Sequence, residues 1–124
     1  MSEKKILVVD DDPYILMSLE YLMQKNGYKV IVARNGTEAR ELVQEERPDL
    51  VILDIMMPDI DGYEICRFIK QSPELNHILV VFLSAKTRDA DQKRGMEAGA
   101  ALYVFKPFST RALIKEINQL LLQG

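Results

Sequence analysis

Five side chains in this sequence could do chemistry together, and four short apolar runs lead into them. Asp10 and Asp11 follow Ile6-Leu7-Val8-Val9, Asp54 follows Leu50-Val51-Ile52-Leu53, Ser84 follows Ile78 to Leu83, and Lys106 follows Leu102-Tyr103-Val104-Phe105. Three carboxylates in one place repel one another and raise one another's pKa values, so the group persists only with something to neutralise it. A hard divalent cation is the natural partner. Mg2+ takes oxygen ligands, keeps several waters, and often needs only one or two carboxylates beside phosphate oxygens. Lys106 would add a fixed positive charge and Ser84 a hydroxyl donor. An arriving anion would meet the cation, an ammonium, a hydroxyl and loop N–H groups. Those are the parts phosphoryl transfer requires, since its catalysis is mostly positioning and charge neutralisation. Asp54 is then a candidate nucleophile that would carry an aspartyl phosphate.

For these residues to meet, the chain must bring its strand ends to one edge. Short continuous apolar runs read as strands buried on both faces of a parallel sheet. Between them lie helix signals. Asp12 caps a helix that starts at Pro13, carries Ile15, Leu19, Leu22 and Met23 inward, and stops at Asn26-Gly27. After a strand at Val30-Ile31-Val32, Asn35-Gly36 opens a second helix with Ala39, Leu42 and Val43 inward, and Pro48 lies beyond its end. Asp61-Gly62 starts a third helix running to about Gln71, and Asp59 and Asp61 read as loop and cap residues. Ser109 caps a fifth, with Leu113, Ile117, Leu120 and Leu121 facing in. The fourth, Asp89 to about Glu97, has few apolar positions (Ala90, Met96, Ala98) and contains Gly95. That glycine costs roughly 1 kcal/mol relative to alanine, and a helix with little to bury is held loosely. Strict βα alternation with short connections predicts an α/β fold, a parallel sheet with helices on both faces and right-handed crossovers. Five such units suit the flavodoxin-like (βα)5 strand order 2-1-3-4-5, whose ligands bind at the carboxyl ends of the strands.

Composition narrows the class. At 124 residues the chain has the size of one domain, residues 1–124. A net charge of −3 does not suggest a nucleic-acid surface. The single cysteine, Cys66, excludes an internal disulfide and fits a reducing, cytoplasmic setting; it reads as a small buried hydrophobe. Met1-Ser2-Glu3-Lys4-Lys5 leads straight into the first strand without a signal-peptide pattern, and no apolar run is long enough to span a membrane. His77, alone in a polar loop, has no companions for metal binding. The methionines show no amphipathic clustering and are assigned to core or loop.

The sequence resembles the receiver domains of two-component response regulators. The resemblance rests on Val8-Val9-Asp10-Asp11-Asp12-Pro13, on Leu53-Asp54-Ile55-Met56-Met57-Pro58 with Asp61-Gly62, on Leu83-Ser84-Ala85-Lys86, and on Gly99 through Tyr103 to Lys106-Pro107-Phe108. Together these motifs cover nearly the whole chain. The resemblance implies that Asp54 accepts phosphate from a phosphohistidine of a sensor histidine kinase or a histidine phosphotransfer protein. It implies that Asp10, Asp11, Asp54 and the backbone carbonyl of Met56 hold Mg2+, and that Lys106 pairs with the phosphoryl group. Ser84 would move inward to hydrogen-bond that group, with Tyr103 rotating in concert, and the Lys106-Pro107 bond is expected cis. The protein would be a switch that catalyses only its own phosphorylation and dephosphorylation.

Two other readings are weaker. An aspartate-nucleophile phosphohydrolase needs a second aspartate two residues after the first, where this chain has Met56. A flavin-binding domain needs a phosphate loop rich in hydroxyls and glycine, where this chain has Asp10-Asp11-Asp12. With no output domain in the sequence, the chain is expected to stand alone or to be a receiver excised from a larger DNA-binding regulator. In the winged-helix subfamily charged residues on the face formed by the fourth helix, fifth strand and fifth helix join two receivers. Here Ala101-Leu102, Ala112 and Glu116 replace them, which favours a monomer that docks on a protein target through that face without touching nucleic acid directly. Ile114, Leu121 and Leu122 are expected to add apolar surface nearby. Met56 and Lys86, each two residues past a site residue, are expected to obstruct attacking water and slow phosphate loss.

Overall fold

The computed structural model describes residues 3–122. Met1 and Ser2, in the N-terminal stretch read above, and Gln123 and Gly124, at the end of the single-domain assignment, lie outside the described residues. Strands and helices alternate as β1 (Lys5–Val9), α1 (Pro13–Lys25), β2 (Lys29–Ala33), α2 (Gly36–Glu46), β3 (Leu50–Leu53), α3 (Gly62–Gln71), β4 (Leu79–Ser84), α4 (Asp89–Glu97), β5 (Leu102–Phe105) and α5 (Thr110–Leu122). The strands form one parallel sheet in the order β2-β1-β3-β4-β5, the flavodoxin-like order expected from the alternation.

Successive strand residues point to opposite faces, and the core divides accordingly. Leu7, Val9, Val51, Leu53, Val80 and Phe82 pack with Ala39 and Val43 of α2 and Tyr63, Ile65, Cys66 and Ile69 of α3. Ile6, Val8, Leu50, Ile52, Val81 and Leu83 pack with Leu16, Leu19 and Met23 of α1 and Leu113, Ile117 and Leu121 of α5. The three central strands, covered on both sides, are apolar from Ile6 to Val9, Leu50 to Leu53 and Leu79 to Leu83, and Asp10, Asp54 and Ser84 come next. At that point polar groups meet open space, and the site forms there.

The helix starts are those read from the sequence. Asp12 accepts from Tyr14 N, Asn35 from Glu38 N, Asp61 from Tyr63 N and Ser109 from Ala112 N. Three expectations need correction. Ile78 is buried but precedes β4, because its N–H turns back to Leu75 O. Leu121 is buried and adds no apolar surface, whereas Leu122 is 85% exposed. In α4, Ala90 and Met96 face solvent, and the buried residues are Asp91 and Gly95. Asp91 is held by the Arg88 guanidinium at 3.0 and 3.2 Å. A Cβ on Gly95 would lie 2.8 Å from Tyr103 Cδ2 and 3.1 Å from Phe82 Cδ2. The glycine is therefore the means by which α4 approaches the sheet, in addition to its cost in helix propensity.

Candidate functional site

The backbone carries the site residues to the edge of the sheet. Asp10 N donates to Ala33 O and Asp54 N to Val9 O, so both aspartates extend the strand ladder by one step. Lys106 N donates to Ser84 O at 2.7 Å, which sets the lysine opposite the end of β4. Asp10 and Asp54 are buried and Asp11 is exposed. One carboxylate oxygen from each of Asp10, Asp11 and Asp54 falls within 4.8 Å of the others. Lys106 Nζ lies 2.9 Å from Asp10 Oδ2 and 3.6 Å from Asp54 Oδ2. The Lys106-Pro107 bond is cis.

The electrostatics follow from this packing. Burial, with the Asp10 charge beside it, pushes the Asp54 carboxyl up to about 6, against the opposing pull of Lys106. Burial alone would lower the Lys106 ammonium, but its hydrogen bond to Asp10 and the charges of Asp54 and Asp10 outweigh that and hold it above the usual lysine range. One ammonium thus serves two buried carboxylates, with a third carboxylate at the mouth. Among the described residues this is the one cluster of metal-ligating side chains. Its donors are all oxygen, with no histidine or thiol, so the residues fit a hard cation such as Mg2+. Asp10, Asp11 and Asp54 would hold it. Beside them opens a cavity of about 370 Å3 lined by Asp11, Ile55, Met56, Met57, Pro58, Asp61 and Lys86. Met56 is 60% exposed there, and its N–H donates to Asp54 Oδ1 at 3.3 Å.

Ser84 and Tyr103 meet at a residue the sequence did not single out for this purpose. The Ser84 hydroxyl oxygen accepts the Lys86 N–H at 3.0 Å, and the Tyr103 hydroxyl donates to Lys86 O at 2.8 Å. The serine is fully buried and Tyr103 is 6% exposed, so both side chains point into the protein with Lys86 backbone between them. Tyr103 packs between Phe82, with ring centroids 6.0 Å apart, and Phe105, at 5.5 Å. All the residues predicted for the site except Tyr103 and Ser84 thus line or approach the acidic rim. Those two instead bond the Lys86 backbone in the β4–α4 loop.

Sequence reasoning missed three further ties. Arg94 of α4 lies over the Tyr63 ring at 4.1 Å and reaches Asp61 at 3.9 Å. Tyr63 OH donates to Asp91 O at 3.0 Å. Asp59 accepts from Gly36 and Thr37 at the start of α2. Each spans more than twenty residues of chain, and no local pattern announces it.

A model of the response regulator receiver domain family matches residues 6–118. The chain belongs to that family. Solved receivers share its whole architecture. The chemotaxis protein CheY4 of Vibrio cholerae is 28% identical, with 95% of this chain and 98% of that one covered at a TM-score of 0.89. The BeF3-activated DrrB receiver domain is 37% identical over 97% and 98% of the two chains, with a TM-score of 0.88. The receiver domain of a signal transduction histidine kinase from Syntrophus aciditrophicus is 36% identical over 95% and 89%, at 0.88. This receiver is therefore a two-component signalling domain with a flavodoxin-like fold, and none of its described helices is long and apolar enough to cross a membrane.

Proposed function

We propose that this receiver is a phosphorylation-dependent switch whose phosphoacceptor is Asp54. The observation that carries the reading is the convergence of Asp10, Asp11, Asp54 and Lys106 at one strand-end rim. In the transfer, an Asp54 carboxylate oxygen attacks the phosphorus of a phosphohistidine on a sensor kinase or phosphotransfer protein. The phosphorus–nitrogen bond breaks and its electron pair stays on the imidazole. Mg2+, held by Asp10, Asp11, Asp54 and the Met56 carbonyl, would neutralise charge on the phosphoryl oxygens. Lys106, already shared between Asp10 and Asp54, pairs with the new charge. Ser84 leaves the Lys86 N–H to bond the phosphoryl group. That withdraws a restraint from the loop whose carbonyl holds Tyr103, and Tyr103 and α4 repack.

The output is the docking of a protein target on the α4-β5-α5 face by a cytoplasmic monomer, without direct contact to nucleic acid. Two features support this. A groove of about 340 Å3 on that face is lined by Leu102, Phe105, Phe108, Ala112 and Glu116 among others, and the acidic pair that joins receivers in dimers is replaced by Ala101-Leu102. Incubation with acetyl phosphate and Mg2+ should add one phosphoryl group, seen by intact-protein mass spectrometry, and chelation or Asp54→Ala should abolish it. Equal labelling of Asp54→Ala would overturn the assignment.

A further inference from the structure

We propose that Asp59 is a positioning residue for the cation, acting through the loop that carries Met56; the inference rests on the metal site proposed above. The segment from Ile55 to Asp61 has no regular structure. Its two ends are fastened locally, by Gly62 N to Ile55 O at 2.9 Å and by Met56 N to Asp54 Oδ1 at 3.3 Å. Among the hydrogen bonds of the described residues, only Asp59 ties its middle to another element.

That tie is dense. Asp59 Oδ1 accepts from Gly36 N at 2.8 Å and Ile60 N at 2.8 Å, and Oδ2 accepts from Thr37 N at 2.9 Å and Thr37 Oγ1 at 2.7 Å. Gly36 N and Thr37 N are the first two N–H groups of α2, which an α-helix leaves unpaired, at the end where the helix dipole favours a negative charge. Asn35 caps α2 through the third, Glu38 N, so the helix already has its own cap. Asp59 adds a junction between α2 and the loop. The junction is fitted closely. A Cβ on Gly36 would lie 2.6 Å from Ile60 Cβ and 3.2 Å from Asp59 Oδ1. The Thr37 hydroxyl and the two N–H groups hold the Asp59 carboxyl far below the usual carboxylate range, so the junction stays charged in mildly acidic solution. A backbone carbonyl can serve as a metal ligand only where the backbone is held, and groups that orient metal ligands contribute strongly to affinity.

The test is Mg2+ titration by calorimetry of the folded protein. Wild type that takes up no Mg2+ would sink the proposed function itself. If wild type binds, Asp59→Ala should bind about 3–10-fold more weakly. Its phosphorylation by acetyl phosphate should reach the wild-type rate once Mg2+ is saturating. Losing a carboxylate near the rim would also weaken binding by charge alone. Gly36→Ala separates the two effects, because it keeps the charge and displaces the junction, and it should weaken Mg2+ binding by a similar factor. Thr37→Val, which deletes one donor, should cost about twofold and keeps the question open to measurement if either other variant fails to fold. Wild-type Mg2+ affinity in Gly36→Ala and Thr37→Val, whatever Asp59→Ala does, would overturn the proposal.

Discussion

Helices α3 and α4 each follow a loop that leaves the acidic rim, yet they are held in different ways. In α3, Gly62, Tyr63, Ile65, Cys66 and Ile69 are buried and Asp61 caps the first turn. Gly62 sits so close to the end of β3 that a Cβ would be 2.6 Å from Asp54 O. In α4 only Asp91 and Gly95 are buried, and its N-terminus has no side-chain cap. What α4 has instead are polar and aromatic ties supplied by its neighbours: Tyr63 OH to Asp91 O, Arg94 over Tyr63, and Gly95 against Tyr103 and Phe82. An apolar stripe resists displacement because every buried methylene must be re-exposed. A few directional ties can be exchanged for others at little net cost. The fixed helix belongs to the side of the rim that carries Asp54, and the exchangeable one to the side that carries Ser84 and Tyr103.

The largest expected effect is a direct comparison of the two. Ile69→Ala should lower unfolding free energy by about 2–5 kcal/mol, since the side chain is fully buried. Met96→Ala on α4, where the side chain is 45% exposed, should stay within about 0.5 kcal/mol. Urea denaturation of both decides it, and similar losses would mean that α4 is anchored as α3 is.

Gly95→Ala is a sharper probe of the same difference. In an open helix the change would gain up to about 1 kcal/mol. Here the new methyl meets two ring carbons at 2.8 and 3.1 Å, so the ring of Tyr103 or the helix must move. A net loss of about 1–2 kcal/mol is expected, with faster amide exchange across α4 and unchanged exchange in α3. A stabilised protein would show that α4 has slack against the sheet.

That glycine also marks where the sequence stopped being legible. Strands and helix starts could be read because their causes are local: an apolar run buried on both faces, Asp12 before Pro13, Asp61 before Gly62. The acidic rim could be read because parallel strands put their last residues on one edge, which places Asp10, Asp54 and Lys106 together once the strand order is granted. The packing of α4 could not be read this way. A search for apolar periodicity selects Ala90 and Met96, whereas the helix docks through a residue with no side chain and through an aspartate neutralised by Arg88. The Asp59 junction and the Lys86 bridge escaped for another reason. Apart from the local Ser84–Lys86 bond, they pair a side chain with distant backbone, and backbone donors and acceptors have no signature in residue type.

On the α3 side of the rim, pH offers a further handle. With Asp54 pushed up to about 6, the native state keeps a proton that the unfolded chain releases near pH 4. The stabilising contribution of the protonated form is complete below pH 4 and is lost as pH rises through 6. Without Mg2+, Asp54→Asn should therefore gain on wild type between those values and then hold a constant lead. With solvent reaching the open rim, that lead should be about 1–2 kcal/mol. Matched denaturation series from pH 4 to 8 measure it, and a difference that does not vary with pH would mean Asp54 is not raised.

The smallest effect tests how α4 is held from the Ser84 side. Tyr103→Phe keeps the ring that packs on Gly95 and Phe82 and removes only the hydroxyl that donates to Lys86 O. The loss should be about 0.5–1.5 kcal/mol, that of one hydrogen bond, and it should be local. Residues from Ala85 through α4 should exchange their amide protons faster, because Lys86 keeps only its tie to Ser84. Helix α3 should not respond, because Tyr63, Ile65, Cys66 and Ile69 hold it by buried apolar contacts that the Tyr103 hydroxyl does not make. Tyr63→Phe is the mirror case, releasing Asp91 O from the α3 side, and it too should speed exchange in α4 while α3 stays protected. If either substitution loosens α3 as much as α4, the two helices form one cooperative unit and the division into a fixed and an exchangeable element is wrong.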